Sequence, residues 1–380
     1  MLNLIVEKCK YFNNAQTACS LMIDDLVPVA VGIDDDFGPQ NDWGYLMDEE
    51  NSLYNYFDKN LIKKYPEIRG SIFLPTDSHN HVSVSDGYMV KNRGFDKEFI
   101  NFLGRINNRF EFAFHGIKHA WEDNNGINIH EFDNIHQIEL QEKQESLNLF
   151  LKSKKINFKG GKFPGYKYNN HALSFIKNND FTWWSLDSNM LNTVSPFNDL
   201  KWDTDLNLTT VPTNVSGDIF KNYYLRGSKR RVLSNLIKFY KISHPTDYIK
   251  YLYENRLPIT IQEHFQNQTT KGTRQPLNIF DDIWSLDQIY GLLRGLDIWH
   301  ATCGEIANYH YSYHNIDIKT ISENSFTVIS KSSELEVCIS LKSKHKTLIR
   351  IEDGFKLTGL RKNNHWIFNN ILPGKYKVES

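Results

Sequence analysis

Between residue 18 and about residue 312 one pattern recurs: a short apolar run, a polar or ionisable residue at its end, then a stretch with helical spacing. The runs are Ala18–Ile23, Gly70–Pro75, Glu111–Phe114, Asn157–Phe163, Phe181–Leu186, Leu208–Pro212, Leu257–Ile261 and Ile298–Ala301. Runs that are apolar without strict alternation suit strands buried on both faces. Helical spacing follows over 49–64, 95–106, 135–151, 172–177, 249–253, 286–296 and 302–309. Strands alternating with helices predict a parallel α/β architecture. Six or seven such units fit a barrel at least as well as an open sheet.

The pattern changes after Asn315. Strand-like segments Ser325–Ser330, Leu335–Leu341, Thr347–Glu352 and Gly374–Val378 now alternate with turns, among them Asn363-Asn364 and Pro373-Gly374. The expected organisation is therefore one large α/β domain over 1–313 and a small all-β, sandwich-like module over 314–380.

The residues that end the apolar runs carry the chemical information. They are Asp24 and Asp25, His115 and His119, Lys162 with Pro164, Asp187, and His264. The carboxyl ends of parallel strands converge in space, so these groups are expected to meet in one cleft. His115 and His119 are spaced i, i+4, which lets two imidazoles face one way and present two nitrogen ligands to a metal. In a chain with 14 histidines that spacing alone is more often structural. It gains meaning from the acids and the third histidine at neighbouring strand ends.

In this order the motifs resemble the polysaccharide deacetylase superfamily (NodB-homology, carbohydrate esterase family 4-like), over roughly Ala18–Tyr313. The carriers are Ile23-Asp24-Asp25, the His115-x-x-x-His119 element, Lys162-Phe163-Pro164 where the family has Arg-x-Pro, Asp187, and Ile261-Gln262-Glu263-His264. Trp299-His300-Ala301-Thr302 with Glu305–Tyr309 is similar to the family's last strand and helix. Two positions depart from the pattern: Lys162 replaces Arg, and Leu26 stands where a glycine usually follows the Asp pair. Both mark a divergent member.

The resemblance implies a distorted parallel (β/α) barrel of about seven units. It also implies that Asp25, His115 and His119 hold a divalent metal, most readily Zn²⁺, with Co²⁺ or Ni²⁺ as alternatives. Asp24 would be the general base, oriented by Lys162, and His264 the general acid, its tautomer held by Asp187. A backbone N–H near Gly165 or Tyr166 would face the oxyanion. Pro164, Gly165, Tyr166 and Trp121 would line the substrate site. The implied reaction is hydrolysis of an N- or O-acyl (acetyl) group on a sugar; a place in surface-glycan biosynthesis is a separate expectation, drawn from the lack of a secretory leader. The alternative is a non-catalytic carbohydrate-binding or glycan-assembly protein on a degenerate barrel.

Other features have plainer readings. His79 and His81 form a rival metal pair but lie in a polar loop. Asp34–Asp36 read as solvated loop acids, and Lys229-Arg230-Arg231 as a solvated helix face. Trp183, Trp184, Trp202 and Trp284 are expected to be mostly core. Glu263 should point away from His264, on the opposite face of its strand. A net charge of −1 argues against a nucleic-acid partner. The four cysteines, Cys9, Cys19, Cys303 and Cys338, lack metal or redox spacing and are expected to be reduced and buried. With no basic leader and no span of about 20 apolar residues, a cytoplasmic setting without a membrane span is expected. The β tail is expected to serve as a binding module or a homo-oligomer contact.

Overall fold

The computed structural model describes residues 4–26, 29–31, 52–77, 90–92, 95–122, 128–188, 196–224, 244–265 and 277–379. His79, His81, Asp34–Asp36 and Lys229–Arg231 lie outside them. The chain divides into two compact units.

The larger unit covers Cys19–Leu296 and His300–Gly304. Its mainly parallel sheet runs in the order Lys201–Asp203, Leu208–Thr210, Trp183–Ser185, Gly160–Lys162, Phe110–Phe114, Gly70–Leu74, Thr17–Asp24, Ile259–His264, Val215–Ser216. Along this order the first pair is antiparallel and the others are parallel. Every residue of Thr17–Asp24 and of Gly70–Leu74 is buried, as strands covered on both faces require.

The helices follow the expected alternation. Lys97–Ile106 is capped by Asp96, whose side chain accepts from Phe99 N at 2.8 Å, and it buries Phe99, Phe102, Leu103 and Ile106. Gln137–Lys154, Asn170–Lys177, Pro245–Glu254 and Ile279–Leu293 occupy the predicted intervals between strands. None of the described helices is long and apolar enough to cross a membrane.

The expected barrel is corrected in one respect: the described sheet is an open path. The segment Leu208–Ser216 spans between its two sides. Its first half pairs in parallel with Trp183–Ser185, and Val211 N donates to Trp184 O at 2.9 Å. Its second half pairs in parallel with Ile259–His264. Pro212, which lacks an N–H, sits between the halves and splits the segment into two short strands.

The smaller unit comprises 1–18, 297–299 and 305–380. The N-terminal residues and 305–313 therefore group with the C-terminal strands, where the sequence suggested a cut at 313. One antiparallel sheet runs Ile5–Lys8, Val337–Lys342, His365–Ile371, Leu360–Lys362; a second runs Ile316–Ser322, Ser325–Ser330, Gly374–Val378, Thr347–Arg350, Lys356–Thr358. Their apolar residues share one core that includes Phe326, Val337, Leu341, Leu348, Phe368 and Tyr376. All four cysteines are buried free thiols.

Candidate metal centre

Parallel register brings the predicted strand ends side by side. His264 pairs with Asp24, and Asp24 pairs with Phe73 on the other side. Lys162 ends the strand aligned with Trp183–Ser185. His115 follows the end of Phe110–Phe114 directly.

Consecutive residues of a strand face opposite ways, so Asp24 and Asp25 would ordinarily point apart. Here Asp25 leaves the strand at φ 65° and turns its carboxylate to the side of Asp24. His119 also sits in the left-handed region, at φ 65°. Its turn begins at Gly116, whose φ of 88° suits glycine.

The result is a cluster of buried polar groups. Single ligand atoms of Asp25, His115 and His119 all lie within 4.8 Å of one another. His115 Nε2 is 3.5 Å and His119 Nε2 3.4 Å from Asp25 Oδ1. His264 Nε2 is 3.7 Å from Asp24 Oδ2 and 4.0 Å from Asp25 Oδ2. Burial pushes the His115 imidazole down to about 3, so it is neutral at ordinary pH. Its Nδ1 faces the Lys162 carbonyl oxygen at 3.2 Å, an atom that can only accept, so Nδ1 carries the hydrogen. The Nε2 lone pair is thereby directed at a carboxylate oxygen. A neutral nitrogen and a carboxylate facing each other across such a gap are the donor set for a cation, and one carboxylate with two imidazoles suits Zn²⁺. The residues fit the group the motifs imply.

Lys162 is fully buried beside Asp24, with Nζ 2.5 Å from Oδ1. Burial alone would lower its pKa, but the Asp24 carboxylate, followed by the Tyr166 hydroxyl, outweighs it and keeps the ammonium charged. Nζ also donates to Gln262 Oε1 at 2.6 Å, and Gln262 Nε2 donates to Asp24 Oδ2 at 2.6 Å. Lysine and glutamine together thus grip both carboxylate oxygens, which a single arginine fork could otherwise hold. The Tyr166 hydroxyl closes the network, 2.9 Å from Gln262 Oε1 and 2.6 Å from Thr213 Oγ1.

Several expected roles do not match the geometry. Asp187 is exposed and does not hold His264, whose Nδ1 has no hydrogen-bond partner among the described residues. The strand ends at Ser185, two residues short of Asp187; Ser185 is buried, and its hydroxyl meets Thr213 Oγ1 at 3.0 Å. Tyr166 N–H donates to Phe163 O at 3.0 Å, which leaves Gly165 as the N–H candidate for an oxyanion. Pro164 is buried against Gly116, packing the histidine turn. Trp121 lies on the short strand Ala120–Glu122, and its side chain is outside the described set. Glu263 lies beside Gly217, and its Oε2 accepts from the His264 backbone N–H at 3.3 Å. Burial, then Asp282 and Asp218, raises its pKa well above the carboxylate range.

Gln262, Thr213, His130 and Glu131 escaped the sequence reading. Gln262 had a usable signal, being two residues before His264 on the same strand face. His130, whose ring centroid lies 6.2 Å from that of His119 and which packs over Gly165, had none, because it comes from a separate hairpin.

No protein-family model matches the sequence, and no curated protein sequence matches it. Solved structures do align with the chain. A Mycobacterium smegmatis protein assigned to the polysaccharide deacetylases is 12% identical, with a TM-score of 0.43, over 80% of this chain and 93% of its own. A CE4 family pseudoenzyme from Bacillus anthracis is 10% identical, with a TM-score of 0.32, over 76% and 65%. The 4-alpha-glucanotransferase of Thermococcus litoralis is 10% identical, with a TM-score of 0.39, over 76% and 39%. At these values the chemistry rests on the site itself.

Proposed function

We propose that this chain is a metal-dependent hydrolase that removes an N- or O-acyl group from a carbohydrate. The observation that supports it most is the convergence of a three-ligand set, Asp25, His115 and His119, with a second carboxylate and a third imidazole whose atoms lie within 4.0 Å of it. A divalent metal bound there would lower the pKa of a water to about 7 and polarise the acyl carbonyl.

The remaining work falls to the chain. Asp24 takes the proton of the attacking water. Lys162 and Gln262 hold both its oxygens, so its orientation is set before substrate arrives. His264, on the neighbouring strand, delivers a proton to the leaving amine or alcohol. The Gly165 N–H faces the developing oxyanion. The carbohydrate in this reading comes from the motif order, and a surface glycan is the class we favour.

The test is metal content by elemental analysis together with acetate release from N- and O-acetylated sugars. We expect about one Zn²⁺, Co²⁺ or Ni²⁺ per chain, lost in Asp25→Ala. Asp24→Asn should retain metal and abolish turnover. Protein that binds no divalent metal at micromolar levels would sink the proposal. Metal binding without turnover of any acyl sugar would favour the non-catalytic carbohydrate-binding alternative.

A further inference from the structure

We infer that Glu131 is a positioning residue for the metal centre, its carboxylate serving as the anchor around which the turn bearing His119 is wound. The inference rests on the metal-centre reading above.

Glu131 directly follows the strand Asn128–His130, which pairs with Ala120–Glu122. Its carboxylate is fully buried. Oε2 accepts three successive backbone N–H groups, from Ile117 at 2.7 Å, Lys118 at 3.1 Å and His119 at 3.1 Å. Consecutive N–H groups curled around one anion form a nest, which usually receives an external anion. Here the chain supplies its own. Oε1 takes the Lys143 ammonium at 2.6 Å, from the helix Gln137–Lys154, so the buried charge is neutralised as well as hydrogen-bonded. Glu131 N in turn donates to His119 O at 3.1 Å, so the same residue grips the turn by backbone and side chain.

The anchored turn is one that needs holding. It runs from Gly116 at φ 88° to His119 at φ 65°, and the second value costs a non-glycine residue. The fit around the carboxylate is close: a Cβ on Gly116 would stand 2.5 Å from Glu131 Oε2. Without the carboxylate, the three successive N–H groups of the turn lose their common acceptor. The His119 imidazole would then leave the point it shares with His115 and Asp25.

A role in folding alone and a role in positioning differ in what metal titration reads. Glu131→Gln keeps the shape and one acceptor oxygen but loses the charge. Lys143→Met leaves the carboxylate in its nest without its counter-ion. Zn²⁺ affinity is measured by competition with a chromophoric chelator, the ligand field by the visible spectrum of the Co²⁺-loaded protein, and the fold by circular dichroism. We expect Glu131→Gln to weaken Zn²⁺ about 10–100-fold, the usual scale for groups that orient ligands, and to alter the Co²⁺ spectrum with the fold retained. Lys143→Met should act in the same direction and less strongly. Wild-type affinity and spectrum in Glu131→Gln, with or without lowered stability, would overturn the inference. Should Glu131→Gln not fold, unchanged affinity in Lys143→Met overturns it and weakened affinity supports it. A wild-type protein that takes up no metal would overturn the metal-centre reading itself, and the inference with it.

Discussion

Lys162 and Asp24 form a buried ion pair, with Nζ 2.5 Å from Oδ1 and the lysine wholly shielded from water. They belong to strands that are not neighbours in the sheet, yet they meet because both strands end at the same level. The pair is also the base and its orienting cation in the proposed reaction, so disturbing it should show in stability and turnover together.

Lys162→Met leaves the Asp24 carboxylate buried without its cation. Breaking a buried pair on one side typically costs about 3–5 kcal/mol. Urea denaturation of Lys162→Met should show a loss of that order, largely recovered in Lys162→Met/Asp24→Asn. A loss below about 1 kcal/mol would mean that the pair is solvated.

Gln262 bridges the same two groups, accepting from Lys162 and donating to Asp24. Gln262→Leu strands one hydrogen-bonding position on each, at about 1–3 kcal/mol. Turnover should fall while metal content stays at the wild-type level, since none of the three ligand atoms is touched. Loss of metal in this variant would contradict that division.

Stability of the metal-free protein should depend on pH through His115. Its folded pKa is depressed by burial to about 3, against an ordinary 6.5. Between these values the unfolded chain binds a proton that the folded chain refuses. Stability therefore falls as pH falls from about 6.5 toward 3, by on the order of 1 kcal/mol per pH unit, and this group adds no slope above 6.5. His310, likewise pushed down to about 3 by burial, adds to the slope. Chemical denaturation near pH 7.5, 6 and 5 should show the decline in wild type and a shallower one in His115→Asn. Equal slopes would assign the effect elsewhere.

His264 as general acid predicts a dependence on the leaving group. His264→Gln should slow hydrolysis of an acetamide about 10²–10⁴-fold. An acetyl ester with a good leaving group, which needs little protonation, should lose far less. An equal loss on both substrates would point to substrate binding as the role of His264.

Much of this site is written in local pattern. Short apolar runs announced the parallel strands because burial on both faces demands continuous hydrophobicity over a few residues. The ionisable residues that end those runs marked the face where the cluster forms. His115, His119, Asp24, Asp25, Lys162 and His264 are brought together there, and the β-rich tail after Asn315 was legible from its turns.

What only the tertiary structure decided are the contacts between segments with no fixed spacing. Asp187, also at the end of an apolar run, lies outside the cluster because its strand stops two residues early. Gln262 as partner of Lys162, and Glu131 beneath the histidine turn, join residues 100 and up to 14 positions apart. Alternation even argued against Asp24 and Asp25 sharing a site; the left-handed backbone at Asp25 overrides it. Periodicity encodes which face is buried, so sequence alone announced the main parallel strands and most of the ionisable residues at their ends. A bend of one residue and a hydrogen bond across the sheet are settled only when the strands pack, and that packing determined which of the candidate groups face one another.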